Sequence, residues 1–292
     1  MTLTLTILGC GSSAGVPRPA LGWGACDPNN PKNRRRRCSL LAERTGDRGV
    51  TRVVIDTSPD LREQLLDAGV RRLDAVVVTH AHADHLHGID DLRSVNRLMQ
   101  RPIPLYADAE TLAEIRRRFG YALEPLREPG RYNKPTLVPR EIIGPFEIQG
   151  IPIVPFAQDH GFSTTLGLRI GGFAYSTDVI ALDDAAFATI QGIELWIVDC
   201  LRRAPHPTHS HLERTLSWIA RVRPRRAVLT HMDQSMDYRE LSAELPTGVE
   251  PGCDGLVLEI PDPCRTILHV ISSEGGSGCY FRTNGPTLTG LR

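Results

Sequence analysis

The run Ala75-Val76-Val77-Val78 leads straight into Thr79-His80-Ala81-His82-Ala83-Asp84-His85, which places three imidazoles and a carboxylate within six consecutive residues. A core strand gains nothing by ending in groups that are costly to desolvate unless those groups are paired or coordinated. The chain must therefore fold so that a buried strand delivers this cluster to an edge. Neutral imidazole and carboxylate suit zinc, manganese and iron, so the cluster reads as a metal centre. A His-X-His pair alone reads more readily as a solvated loop tip. Asp84 and His85, just past the apolar run, turn the reading toward metal.

Other polar residues stand at the ends of short β-type runs in the same way. His160 follows Ile151 to Gln158, Asp178 follows Phe173 to Thr177, and His231 follows Ala227 to Thr230. Each alone has a dull explanation, but their recurrence at strand ends lets residues far apart in sequence converge on one sheet edge. Asp56, after Val53-Val54-Ile55, fits a supporting role: accepting an N–H from a ligand histidine and fixing its tautomer.

Short apolar or alternating runs from Leu3–Leu8 to Leu256–Ile260 read as strands, among them a single strand over Glu147–Val154. Helical patterns cover Asp60–Ala68, Ala109–Phe119, Asp183–Ile190, His211–Arg221 and Tyr238–Leu245. Strands in both halves with helices between them point to two packed sheets with helices outside. The Pro- and Gly-rich stretches 120–139 and 261–292 read as a loop and a C-terminal extension. Residues 1–260 are expected to form one domain.

With 292 residues and 41% hydrophobic composition, the chain can bury a sizeable core. Lys plus Arg is 34 and Asp plus Glu is 34, so no net field draws it to nucleic acid or membrane. No apolar stretch approaches the roughly 20 residues of a membrane span, and the alternating start Met1 to Ile7 lacks a charged leader, so a cytoplasmic protein is expected. The seven cysteines show neither a disulfide framework nor a C-x-x-C pair and read as mostly reduced and structural. The Arg34–Arg37 run reads as a solvated loop that could draw a charged nucleotide or sugar phosphate.

Taken together, Asp56, the Thr79–His85 segment, His160, Asp178 and His231 resemble the five successive motifs of the metallo-β-lactamase superfamily, over residues 1 to about 260. The resemblance implies a four-layer αββα sandwich with a dinuclear site. It implies His80, His82 and His160 on one metal, Asp84, His85 and His231 on the other, and Asp178 bridging. An aspartate bridge resembles the phosphodiesterase and glyoxalase branches rather than the lactamases. Leu8 to Pro17, Trp23-Gly24, Arg36-Arg37-Cys38-Ser39, His87 to Arg93, Val198-Asp199-Cys200 and Asp254-Gly255-Leu256 are similar to PhnP-type cyclic phosphodiesterases. That family carries a cysteine-rich structural zinc loop after Trp-Gly. Here Ala25, Asp27 and Asn30 stand where cysteines would be and only Cys26 remains, which argues against such a zinc.

Two divalent ions about 3.5–4 Å apart can bring a shared water toward a pKa of roughly 7, giving a hydroxide that attacks phosphorus. A departing alkoxide needs a proton, and His209 is the chosen general acid, with His206 and His211 as alternatives. Asp84 and His209 are the catalytic candidates. By resemblance, Thr208-His209 matches an Asn-His pair whose His contacts the substrate phosphate. Substrate binding is assigned to Ser12 and Ser13, in a Gly11-Ser12-Ser13 turn offering backbone N–H groups, and to Arg93 as a phosphate clamp.

The leading expectation is a dinuclear, zinc- or manganese-dependent phosphodiesterase acting on a small cyclic phosphate or nucleotide-like diester. The alternatives are a tRNA 3′-end endonuclease, a lactone or thioester hydrolase, and a non-catalytic metal-dependent nucleotide-binding protein. The expected partner is a small phosphate ester, with a homodimer allowed and neither membrane nor nucleic acid.

Overall fold

The structure is a computed structural model that describes residues 2–46, 49–125 and 135–261. In chain order the strands of the first sheet are β1 (Thr2–Gly9), β2 (Ser39–Gly46), β3 (Gly49–Ile55), β4 (Ala75–Val77), β5 (Ile103–Ala107) and β6 (Leu137–Glu141). The second sheet holds β7 (Phe146–Ile148), β8 (Ile151–Asp159), β9 (Thr164–Ile170), β10 (Phe173–Ser176), β11 (Leu195–Asp199), β12 (Arg226–Thr230) and β13 (Val249–Pro251). The last strand, β14 (Val257–Pro261), returns to the first sheet and pairs with β1.

The spatial orders are β14-β1-β2-β3-β4-β5-β6 and β13-β12-β11-β10-β9-β8-β7. Each sheet is antiparallel in one half and parallel in the other: β3 to β6 run parallel in the first, β10 to β13 in the second.

Strand alternation sets the layers. Val53 and Ile55 point into the core between the sheets, whereas Val54 joins the outer cluster under the helices. All three are fully buried, which is why β3 ends in an unbroken apolar run. The outer cluster is completed by Leu61 and Leu65 of α1 (Leu61–Asp67), Leu86 of α2 (Ala83–Leu86), Leu92 and Val95 of α3 (Leu92–Met99), and Leu112 and Ile115 of α4 (Ala109–Leu123). On the second sheet Phe187 of α5 (Asp184–Thr189), Trp218 and Ile219 of α6 (Leu212–Val222) and Leu241 of α7 (Tyr238–Glu244) pack against the core. The result is the expected αββα arrangement.

Three sequence expectations need correction. The stretch 120–139 is not all loop: α4 continues through Leu123 and β6 begins at Leu137, while residues 126–134 lie outside the described ones. Pro139 is tolerated in β6 because that strand is at an edge, where a missing N–H breaks no ladder. Glu147–Val154 is not one strand but a hairpin, folded at Gln149 (φ 46°) and Gly150 (φ 89°), the paired left-handed conformations of a tight two-residue turn. The four-arginine run is solvated only at Arg34; the other three are engaged. Arg35 is 1% exposed and donates to the Met236 carbonyl at 2.7 Å, Arg36 pairs with Asp67 and Asp254, and Arg37 with Asp60. The extension beyond Pro261 lies outside the described residues, as do Cys264 and Cys279. Among the described cysteines, Cys10, Cys26, Cys38 and Cys200 are buried free thiols, and Cys253 is a free, half-buried one.

Candidate active site

The polar residues flagged in the sequence meet at one rim, beyond the carboxyl ends of strands from both sheets, where crevices form in sheets of this kind. Asp56 follows β3, His80 and His82 follow β4, and Asp84 and His85 ride on α2. His160 follows β8, Asp178 follows β10 and His231 follows β12. Asp56, Asp178 and His231 all have left-handed backbones, with φ of 64°, 52° and 57°. Such φ values are rare for residues other than glycine and cost on the order of 1–3 kcal/mol each. The strain turns the chain sharply at the strand end and aims each side chain back over the rim.

Beneath the rim, Asp56 is fully buried and organises the histidines. Its Oδ1 accepts the Thr79 backbone N–H at 2.8 Å, and its Oδ2 accepts the Thr79 hydroxyl at 3.0 Å and His85 Nδ1 at 2.8 Å. Because the one Thr79 hydroxyl proton is committed to Asp56, His80 Nδ1 must donate to Thr79 Oγ1, 3.0 Å away. His160 Nδ1 likewise donates to the Thr208 carbonyl at 2.7 Å. Each of these three imidazoles therefore turns a bare Nε2 lone pair outward. Gly88 is part of the same support: its N–H donates to Thr57 at 2.9 Å, and a Cβ there would run into the Ser58 carbonyl.

The outward atoms form two groups that share Asp178. His80, His82, His160 and Asp178 have donor atoms within 4.8 Å of one another, as do Asp84, His85, Asp178 and His231. Asp178 Oδ2 faces His80 and His160 at 3.8 and 3.7 Å, while Oδ1 faces His85 and His231 at 3.0 and 3.4 Å. Asp84 Oδ2 lies 3.3 Å from His85 Nε2 and 3.4 Å from His231 Nε2.

Nε2 of His80 and of His85 are buried without a hydrogen-bond partner. Lone pairs facing carboxylate lone pairs at these distances repel unless positive charge sits among them. The charge balance is visible in the imidazoles. Burial depresses His85, but Asp178, Asp84 and Asp56 outweigh it and push its pKa well up, so their negative charge draws either a proton or a cation to its Nε2. Burial and the neighbouring His85 drive His80 well down. Burial raises the Asp178 and Asp84 carboxyls, and the surrounding histidines more than reverse this. Nitrogen and oxygen donors without thiolate, arranged as two clusters around one carboxylate, fit a pair of divalent cations.

His209 stands against this cluster. Its ring stacks on His231 with centroids 4.6 Å apart, and its Nε2 lies 3.9 Å from Asp178 Oδ2. Its Nδ1 donates to Asp199 Oδ2 at 3.0 Å. The same oxygen accepts the Val179 N–H at 3.0 Å, so one carboxylate holds both His209 and the turn that carries Asp178. Burial would lower the His209 pKa, but Asp199, helped by Asp178, raises it to about 9. Asp199 was not singled out as a site residue from the sequence, although its signal is the same as for Asp56 and Asp178: a carboxylate ending an apolar strand.

Ser13, His82, Asp84, His160, Phe162, Ser163, Asp178, Thr208 and His209 line an open cleft of about 280 Å³. Ser13 is thus at the site, whereas Ser12 is buried. Two N–H groups of the expected backbone anion cradle are already engaged: the Gly11 N–H donates to the Arg36 carbonyl at 2.8 Å and the Ser12 N–H to the Met232 carbonyl at 3.0 Å. Arg93 is absent from the cleft wall and pairs with Asp90 at 3.1 Å. His206 accepts from the Thr208 N–H at 3.3 Å, and His211 precedes α6 without capping it.

The beta-lactamase superfamily domain matches residues 51–232. The chain belongs to the metallo-β-lactamase superfamily. Within that superfamily it resembles the PhnP family. The crystal structure of a diphosphatase from the PhnP family superimposes with a TM-score of 0.81 at 33% identity, covering 89% of this chain and 98% of that one.

An octanoyltransferase of Porphyromonas gingivalis is 33% identical over 254 residues, 86% of this chain and 50% of that protein. The chain thus spans about half that relative's length. A ribonuclease Z of Bradyrhizobium diazoefficiens is 42% identical over 82 residues, 27% of this chain and 25% of that protein.

Proposed function

We propose that this protein is a metal-dependent hydrolase, a dinuclear phosphodiesterase for small phosphate diesters; the observation carrying this reading is His209, oriented by Asp199 beside two donor clusters that share Asp178. His80, His82, His160 and Asp178 Oδ2 would hold one cation; Asp84, His85, His231 and Asp178 Oδ1 the other. Zinc and manganese both suit this donor set. When bound, such a pair lowers the pKa of water toward about 7 and offsets negative charge growing on phosphoryl oxygens.

The chain's own residues supply the rest. Asp56 keeps the Nε2 lone pairs of His80 and His85 exposed by holding their Nδ1 atoms as donors. Hydrolysis forms one P–O bond from water and breaks the ester P–O bond. The departing alkoxide takes a proton from His209 Nε2, leaving a monoester and an alcohol. Asp199 steadies the charged imidazole beforehand and keeps Nε2, not Nδ1, facing the cleft. The likeness to a diphosphatase of the PhnP family supports phosphorus rather than a carbonyl as the centre attacked. A cytoplasmic location belongs to the same proposal.

The test is His209→Ala, assayed on adenosine 2′,3′-cyclic phosphate, an alkyl-leaving-group diester, with metal content measured by plasma emission. Removal of a general acid costs about 10²- to 10⁴-fold in kcat. Two equivalents of metal with kcat reduced on that scale is the expected result; unchanged turnover removes His209 from the mechanism. Pre-tRNA cleavage by the wild-type chain faster than diester hydrolysis would replace the reading with a tRNA-processing one.

A further inference from the structure

Phe162 is 93% exposed, yet it stands in the wall of the cleft on a closely tied turn. The turn joins β8 to β9 directly after His160. The Gly161 N–H donates to Asp159 Oδ1 at 2.7 Å, the Phe162 N–H to the His160 carbonyl at 3.1 Å, and the His160 N–H to the Ser163 carbonyl at 2.9 Å. Gly161 has φ 79°, and a Cβ there would crowd the Pro207 carbonyl at 2.9 Å and Thr208 Cγ2 at 3.0 Å. The turn is therefore packed on the segment that presents His209. A scattered exposed hydrophobe such as Ile143 needs no explanation. Phe162 differs in lining the same cleft as the residue that would protonate the leaving group, on a turn whose backbone is tied down.

The remaining wall narrows the ligand further. Ser13, Ser163 and Thr208 offer hydroxyls, and no Lys or Arg lines this cleft among the described residues. A polyphosphate tail extending past the reacting phosphorus would meet no cation there. An uncharged, hydroxyl-bearing group ending in a flat ring would meet hydroxyls and then a phenyl face. We infer, on the phosphodiesterase reading above, that the ester oxygen protonated by His209 belongs to a nucleoside whose base stacks on Phe162. This makes Phe162 a specificity residue and nucleoside phosphodiesters the substrate class.

The experiment compares two strained cyclic diesters, adenosine 2′,3′-cyclic phosphate and ethylene phosphate, in wild type, Phe162→Ala and Phe162→Trp. Base stacking on an aromatic side chain is commonly worth about 5- to 150-fold in binding. The ratio of kcat/KM for the nucleotide to that for ethylene phosphate should fall about tenfold in F162A and recover in F162W. An unchanged ratio overturns the inference. Calorimetric titration of metal-loaded protein with adenosine 3′-monophosphate and with glycerol 2-phosphate reads the same contact without turnover. F162A should weaken the nucleotide selectively; equal weakening of both, or none, also overturns it. If neither cyclic ester is hydrolysed by wild type while nucleotide binding still depends on Phe162, the stacking contact stands and the phosphodiesterase reading falls.

Discussion

Asp56→Asn keeps the size of a fully buried side chain and changes only what its two terminal atoms can accept. The carboxylate receives three donors, one on Oδ1 and two on Oδ2. An amide can keep its oxygen at the Oδ2 position and satisfy His85 and the Thr79 hydroxyl. Its NH₂ then faces the Thr79 backbone N–H across 2.8 Å, donor against donor. The other orientation sacrifices two bonds and lets the His85 proton move to Nε2, where it blocks ligation. The first orientation leaves a buried N–H unpaired, at about 1–3 kcal/mol. Against that, burial holds the Asp56 carboxyl above the ordinary range, so D56N also removes an expensive charge and part of the stability loss cancels.

Metal affinity does not enjoy that cancellation, because the amide is a poorer acceptor and no longer strengthens His85 as a base. Loss of such a supporting partner typically lowers affinity about 10- to 100-fold. Chelator competition against the wild-type chain measures it directly. A D56N protein that binds two equivalents with undiminished affinity would refute the argument that Asp56 sets the tautomers of His80 and His85.

Asp74 makes the acid-side prediction. Burial alone would raise its carboxyl, but the Arg52 N–H at 3.0 Å, Arg72 at 2.7 Å and Arg101 at 3.0 Å hold it below the ordinary range. A depressed folded pKa contributes stability above the unfolded value of about 3.9 and loses it as pH falls through the folded value. Asp74→Asn should thus unfold at lower urea than wild type at pH 7, with the gap shrinking below about pH 4; a gap independent of pH contradicts the sign. Arg35→Met preserves the buried stem and removes the donor to the Met236 carbonyl, and should cost about 1–3 kcal/mol, read as a lower urea midpoint. An equal or higher midpoint would mean that the buried guanidinium costs more to desolvate than its bonds return.

Most of the site was legible in the sequence because each side chain concerned ends an apolar run, and apolar runs are what burial writes into a chain. His80 to His85, His160, Asp178 and His231 all carry that signature. Asp199 carries it too, but its role depends on which histidine it faces, ten residues on and around a turn, and no spacing encodes that. The Gly11-Ser12-Ser13 turn looked like an anion cradle because its residue types allow one. Whether an N–H is free is decided by the segments beside it, here through Arg36 and Met232. The arginine run misled in the same way: charge density suggests solvent, yet Asp60, Asp67 and Asp254 come from distant segments to meet it. Phe162 left no mark at all, since one aromatic beside a glycine is as common in a core turn as at the mouth of a cleft.

The cation donors are divided between the two sheets, with Asp84 and His85 from one half of the chain and Asp178 and His231 from the other. Neither half holds a complete set, so on the proposed reading a bound ion pair would act as a clasp across the seam between them. Full occupancy of both sites would thereby report that both halves have been built and joined, since a chain folded in only one of them lacks part of each donor set.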